Sequence, residues 1–332
     1  MNMSKIEGKL AKYLQEEFKR LSPNGWECHS EVALLSSDFE KLLGYQPRVD
    51  ILLQKSDFSQ RFWIEFEISR ADPVANHTKF AAAHLFQPQT KLDTFVSMMS
   101  ADIDRGKRNL GVTTIYLMRH IGMNAFQTSL LPHHSSKQIK EMNNTSFENL
   151  SYASLDITQE IRRVFTISES VINGNDKRIH FASDILDIFM NLRRWNEEIE
   201  NPEKLSIWGK RTITYFVFDP LTHTFAPSKF CAYVAIPKVT ELSRLSYSND
   251  VRSEMSIDLY ASLDGTDSRF DGRRARLHLI NNLAMTIHDL SESPQISKAF
   301  ENWLFQHSDA INVHPKGISI LMPPEPFMKK FR

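Results

Sequence analysis

Pro47-Arg48-Val49-Asp50-Ile51-Leu52-Leu53 and, after a short polar break, Phe62-Trp63-Ile64-Glu65-Phe66-Glu67-Ile68-Ser69 set three carboxylates into two adjacent apolar segments. Short runs this rich in Val, Ile, Phe and Trp read as strands. Leaving unpaired carboxylates in such surroundings costs several kcal/mol, so the pattern reads as a divalent-metal site on the edge of a sheet. Residues two apart on a strand share a face, so Glu65 and Glu67 project together while Ile64, Phe66 and Ile68 fill the other side. Pairing of the two strands through an Asp57-Phe58-Ser59-Gln60 turn brings Asp50 beside them. Three hard oxygen donors without Cys or His ligand spacing suit Mg²⁺ or Mn²⁺ rather than zinc. In the competing reading Glu65 and Glu67 lie on the solvated face of an amphipathic strand and Asp50 ends its neighbour. Against it, residues 48–53 are apolar on both faces.

Working outward, Ile6, Leu10, Tyr13, Leu14, Phe18 and Leu21 fall at helical spacing, which predicts an amphipathic helix over 5–21, closed by Ser22-Pro23-Asn24-Gly25. Strands are expected at 26–35, 45–54 and 61–69. Asp72 as N-cap and Pro73 at the first helical position open a helix over 74–86. Further strands are expected at 94–100 and 113–118. The order helix, three strands, helix, strand is an α/β layer arrangement.

This frame and its acids resemble the PD-(D/E)XK nuclease superfamily, which includes many type II restriction endonucleases. The resemblance covers roughly the N-terminal third, where that family has an α-β-β-β-α-β core. It implies that Asp50 is the family's aspartate and that Glu65-Phe66-Glu67 stands for its Glu-x-Lys, with Glu67 where lysine is usual. The implied activity is Mg²⁺-dependent hydrolysis of phosphodiester bonds, of the sequence-specific restriction type. Asp50 and Glu65 would bind the metal, and Glu67 would orient or deprotonate water. Some members carry Glu-x-Glu; otherwise a base from the next helix, with Lys79 the candidate, would serve, or catalysis is lost and a non-catalytic DNA-binding or regulatory protein remains. Glu31, and more weakly Glu7 or Glu16, could complete the metal's ligands, although a solvated charge is the plainer reading of each. Arg70, Asn76 and His77, at the strand-to-helix junction after the acids, are candidate DNA contacts; a capped helix with a wet polar face is the alternative.

At 332 residues two domains are expected. The nuclease-like domain is placed at 1–150 and a helical connector at 151–210. A mixed α+β recognition or dimerisation domain follows at 211–332. The connector carries helical periodicity over 179–200, after a polar, turn-rich stretch at 129–154. Downstream, strands are expected at 213–218, 232–236 and 255–263, helices at 276–289 and 297–307, and a last strand at 318–321. Arg273, Arg274 and Arg276 form a cluster suited to DNA backbone or guanine edges, with pairing to Asp264, Asp267 and Asp271 as the alternative.

Lysine plus arginine and aspartate plus glutamate both number 40. That balance hides any local field, since an acidic pocket inside a basic cleft cancels in the sum. Cys28 and Cys231 read as reduced core residues, and no apolar run reaches the roughly 18 residues of a membrane span. A cytoplasmic protein without a membrane partner is expected. No Walker-type phosphate loop is present. Cutting both strands of duplex DNA needs two active sites, hence the expectation of a homodimer.

Overall fold

The acid-bearing strands sit inside a five-stranded mixed sheet of order β1-β2-β3-β4-β5. The computed structural model describes residues 9–69, 73–132, 134–151, 155–168, 177–182, 185–237, 260–262 and 272–328. Glu7, Arg70, Asp72, Asp264, Asp267, Asp271 and the side chain of Arg274 lie outside the described residues, so the readings placed on them do too. The chain divides into two units, one running to Ser168 and one holding the described residues from Lys177 onward.

In the first unit, α1 (Lys9–Arg20) buries Leu10, Tyr13, Leu14 and Phe18, the stripe foreseen from its period. Each such side chain contributes about 1.5–3 kcal/mol on burial. β1 (Trp26–Ala33), β2 (Arg48–Lys55) and β3 (Arg61–Glu67) are antiparallel neighbours, with the short helix α2 (Ser37–Leu43) inserted between β1 and β2. The β2–β3 hairpin turns where expected. There Asp57 Oδ1 accepts from the backbone N–H of Ser59 at 2.9 Å and from its hydroxyl, and these bonds hold the exposed carboxyl down at about 2.

From β3 the chain crosses through α3 (Pro73–Phe86) to β4 (Asp93–Met99), parallel to β3, and through α4 (Arg105–His120) to β5 (Ala125–Ser129), parallel to β4. Phe18 of α1 packs on Phe66, and Phe165 of the helix Ile157–Ser168 packs on Phe62, covering one face of β3. α3 lies on the other, where Asn76 reaches Glu67. β3 is therefore the central strand and buried on both faces, not an edge; crossover helices on a parallel half-sheet impose this.

Further expectations change in this unit. Residues 113–118 are helical, within α4. Thr-Thr-Ile-Tyr favours strand locally, but Asp104 caps the helix by accepting from Lys107 N, and Val112, Ile115 and Met118 recur on one buried face. The strand that follows β4 is Ala125–Ser129, just beyond this helix. The polar stretch 129–154 holds two short helices, Ser136–Asn144 with a complete Ser135/Gln138 capping box, and Phe147–Leu150.

The second unit has its own core, in which Trp195, Trp208, Phe216, Phe225, Phe300 and Trp303 are almost fully buried. Its largest sheet runs Thr286–His288, Ser319–Met322, Tyr215–Asp219, Thr224–Pro227. The helix expected at 297–307 is Pro294–Gln306, and the one expected at 179–200 is Ile185–Ile199, residues 179–181 belonging instead to the strand Lys177–Phe181. The one expected over 276–289 is instead Gly272–Asn281 followed by the strand Thr286–His288. Arg193 and Arg194 are held by Asp219 at 2.7 Å and Glu198 at 3.2 Å, and both acids are buried.

Candidate functional site

Register brings the acids together. β2 and β3 pair from Gln54↔Arg61 to Ile51↔Ile64, and the next step of that ladder sets Asp50 opposite Glu65. The same arithmetic on the β1–β2 ladder, which pairs Ser30↔Ile51 and Val32↔Val49, sets Glu31 opposite Asp50. β4 continues the row, with Ser97 paired to Glu65. Residues in register share a face, so Glu31, Asp50, Glu65 and Ser97 form one polar row across four strands.

At this row the regular ladder stops. Phe66 N–H donates to Asp50 Oδ2 at 2.7 Å. Glu31 departs from strand geometry with φ 53°, a left-handed backbone that a residue with a Cβ adopts at a cost of about 1–3 kcal/mol. Gln15 of α1 bridges the two acids, its Nε2 donating to Glu31 Oε1 at 2.7 Å and to Asp50 Oδ1 at 3.1 Å.

Burial decides between the two readings of the acids. Glu65 is 6% exposed and Glu67 3%, so neither lies on a solvated strand face. Burial pushes the Asp50 carboxyl up to about 6, and the charge of Glu31 adds to it against the opposing hydrogen bonds from Phe66 and Gln15. Glu65 lies well above the ordinary carboxylate range, because of burial first and then the neighbouring charges of Asp50, Glu67 and Glu31. Asp50 and Glu65 are cross-strand neighbours, and the charge of each disfavours ionisation of the other. Glu65 Oε1 and Ser97 Oγ are buried without a hydrogen-bond partner. Neighbouring carboxylates of raised pKa, one with an oxygen unpartnered, are the arrangement that a cation stabilises.

Among the described residues no three Cys, His, Asp or Glu side chains form a ready-made cage for an ion. Asp50 and Glu65 still fit Mg²⁺, which is commonly bound through one or two carboxylates, keeps several waters and draws further oxygens from a phosphate. The Glu67 carboxylate is anchored, its Oε1 accepting from Asn76 Nδ2 at 3.0 Å. Removing that bond with Asn76→Ala is expected to slow any reaction depending on Glu67 by about 10–100-fold while leaving Tm within a few degrees, checked by paired rate and melting measurements.

These side chains line a cavity of about 330 Å³ that also includes Arg48 and Lys79. Arg48 Nη1 donates to the carbonyl of Glu31 at 3.2 Å, and Lys79 is exposed, so basic side chains rim an acidic floor. Glu31, Asn76 and Lys79 line this cavity together with the three principal acids. Glu16 is exposed and does not line this cavity. His77 departs from expectation: it is fully buried, with Nδ1 2.6 Å from Thr114 Oγ1 and its ring edge-on to Phe95. Packed between α3 and α4, it does not suit the DNA contact expected of it. Arg273 and Arg276 belong to the second unit and are described below. Gln15 and Arg48 were missed. Gln15 carries no charge to flag it, and only packing of α1 onto the sheet brings it to Asp50.

No family model, curated protein or solved structure matches the chain. No described helix is long and apolar enough to cross a membrane.

Proposed function

We propose that the protein is a Mg²⁺-dependent endonuclease of the PD-(D/E)XK kind, hydrolysing phosphodiester bonds in duplex DNA as a homodimer. The observation that carries this reading is the pairing of a part-buried Asp50 with a buried Glu65 whose Oε1 is unpartnered, at the point where an antiparallel hairpin passes into a parallel crossover. Support also comes from the element order: one helix, three antiparallel strands with the short α2 between the first two, a crossover helix and a parallel strand.

In this reading Asp50 and Glu65 hold the cation, and Gln15 orients Asp50 by its hydrogen bond. The bound ion would supply charge stabilisation to the phosphoryl oxygens and a more acidic water. Glu67, anchored by Asn76, orients the attacking water and accepts its proton. Arg48 and Lys79 at the rim attract the phosphate toward an otherwise acidic floor.

A second reading, a non-catalytic DNA-binding or regulatory protein with a nuclease-like frame, is favoured by one observation. Glu67 stands buried where the resemblance calls for a lysine, and the nearest candidate base, Lys79, is exposed. Incubation of purified protein with mixed-sequence plasmid in Mg²⁺ or EDTA separates the two. The nuclease reading expects cleavage in Mg²⁺ alone, reduced by at least about 10²–10³-fold in Asp50→Ala and Glu65→Ala. Cleavage unchanged in both variants would sink the assignment, and DNA binding without metal-dependent cleavage would favour the second reading.

A further inference from the structure

The second unit contains a cleft of about 730 Å³ whose described lining carries Arg211, Lys229, Arg273 and Lys316 together with His314, and no carboxylate. Over the whole chain acidic and basic residues balance, so this is a local concentration of positive charge. Its cations come from four separate stretches. Arg211 begins the strand Arg211–Ile213, Lys229 lies in the turn of helix Ser228–Cys231, and Arg273 opens the helix Gly272–Asn281. Lys316 sits in the turn after Ile311–Val313. A charge run in sequence is commonly a solvated face; convergence of four distant segments on one concavity is a property of the fold.

The walls are fixed in place. The turn His314-Pro315-Lys316-Gly317 is closed by Gly317 N–H donating to His314 carbonyl at 2.9 Å, and continues through Gly317 at φ +97°, a conformation that favours glycine. Lys316 N–H donates to His314 Nδ1 at 3.1 Å, which leaves the ring proton of the neutral histidine on Nε2, a donor. Arg211 Nε donates to the Trp208 carbonyl at 2.8 Å. Its guanidinium and the Lys229 ammonium each stand 5.4 Å from the centroid of Phe230.

The aromatic rings also indicate which part of a ligand is bound. Phe230 is attended by Arg211 and Lys229, and Arg276 stacks over Tyr215 at 5.0 Å. Faces occupied by cations do not offer themselves to bases, so the cleft suits phosphates rather than base stacking. We infer that this cleft in the second unit binds the phosphodiester backbone of a nucleic acid through Arg211, Lys229, Arg273 and Lys316. The choice of duplex DNA as that polyanion rests on the function proposed above; the charge complementarity does not.

The test is fluorescence anisotropy of the full-length chain with a labelled mixed-sequence duplex, in EDTA, over a range of salt concentrations. The variant Lys229→Gln/Arg273→Gln/Lys316→Gln removes three cations and leaves Arg211, with its bond to Trp208, in place. It is expected to bind at least tenfold more weakly, with the salt slope reduced by about 0.9 for each lost phosphate contact. Lys298→Gln, an exposed cation on the helix Pro294–Gln306 outside the cleft, is expected to change neither. Wild-type affinity and slope in a triple variant of unchanged Tm would overturn the inference. Binding of pyrophosphate by the wild type with no duplex binding would also overturn it, in favour of a small-anion site. Because no metal is present, failure here is distinct from failure of the nuclease reading: a cleft that binds while plasmid stays intact leaves this inference standing and removes the other.

Discussion

Replacing Glu65 by glutamine is expected to stabilise the metal-free protein while abolishing its response to Mg²⁺. In the native chain Glu65 lies across from Asp50 with one oxygen unpartnered, and both carboxyls are pushed upward by burial and by their neighbours. An amide of the same shape donates to the Asp50 carboxylate and removes one of the clustered negative charges. A hydrogen bond to a charged group is worth about 1.5–3 kcal/mol. For a domain of this size that corresponds to a rise of about 3–12 °C in Tm. The measurement is a melting curve in EDTA and again in Mg²⁺. Wild type is expected to melt higher with the ion, because a ligand that binds only the folded state stabilises it by mass action. Glu65→Gln should melt higher than wild type without it, gain nothing from it, and lose at least about 10²–10³-fold in cleavage. A variant that melts lower than wild type in EDTA would show that the pair is not under electrostatic stress, and the case for an ion there would go with it.

Asp93→Ala is expected to cause a large loss of stability in the first unit. This carboxylate is 2% exposed at the start of β4 and ties three parts of the sheet together. Its Oδ1 accepts from Trp63 Nε1 at 2.9 Å, and its Oδ2 from Arg61 Nη2 at 2.9 Å and Thr90 N at 2.7 Å. Burial alone would raise its pKa, but the hydrogen bonds from Trp63 and Thr90 and the charge of Arg61 together bring it below the ordinary value. Truncation leaves a buried indole N–H and a partly buried guanidinium without their acceptor. The loss should be about 3 kcal/mol, the low end for breaking a buried pair because the Arg61 side chain is 32% exposed.

The sign of the pH dependence follows from that depressed pKa. Stability contributed by Asp93 is fully present above the unfolded carboxylate value near about 4, and is lost as pH falls through the lower folded value. Urea unfolding at neutral and strongly acidic pH checks both points, since the deficit of Asp93→Ala should shrink in acid. A deficit that stays constant across that range would locate the effect in packing rather than in charge.

The three principal acids were legible because they broke a pattern. Alternation put Glu65 and Glu67 on one face, and a lone Asp50 in an apolar run demanded a partner. The hairpin was equally readable, since Asp57-Phe58-Ser59-Gln60 carries its own turn chemistry. Residues 113–118 misled because β-branched and aromatic side chains favour strand over six residues, whereas the sixteen-residue helix is set by a cap and a buried stripe. Ser97 gave no signal, lying in a strand whose every residue is buried.

By itself the sequence determined the local order of helices and strands around the acids, because period, caps and turn residues act within a few positions of one another. It also determined that carboxylates sit in an apolar setting, a matter of composition within two short runs. Only the tertiary structure decided that β3 is central rather than an edge, since that depends on crossovers that add β4 and β5 beyond it. Only it brought Gln15 from α1 to Asp50 and gathered Arg211, Lys229, Arg273 and Lys316 around one cleft. Such meetings are set by how whole elements pack, and side chains that are distant along the chain carry no local trace of it.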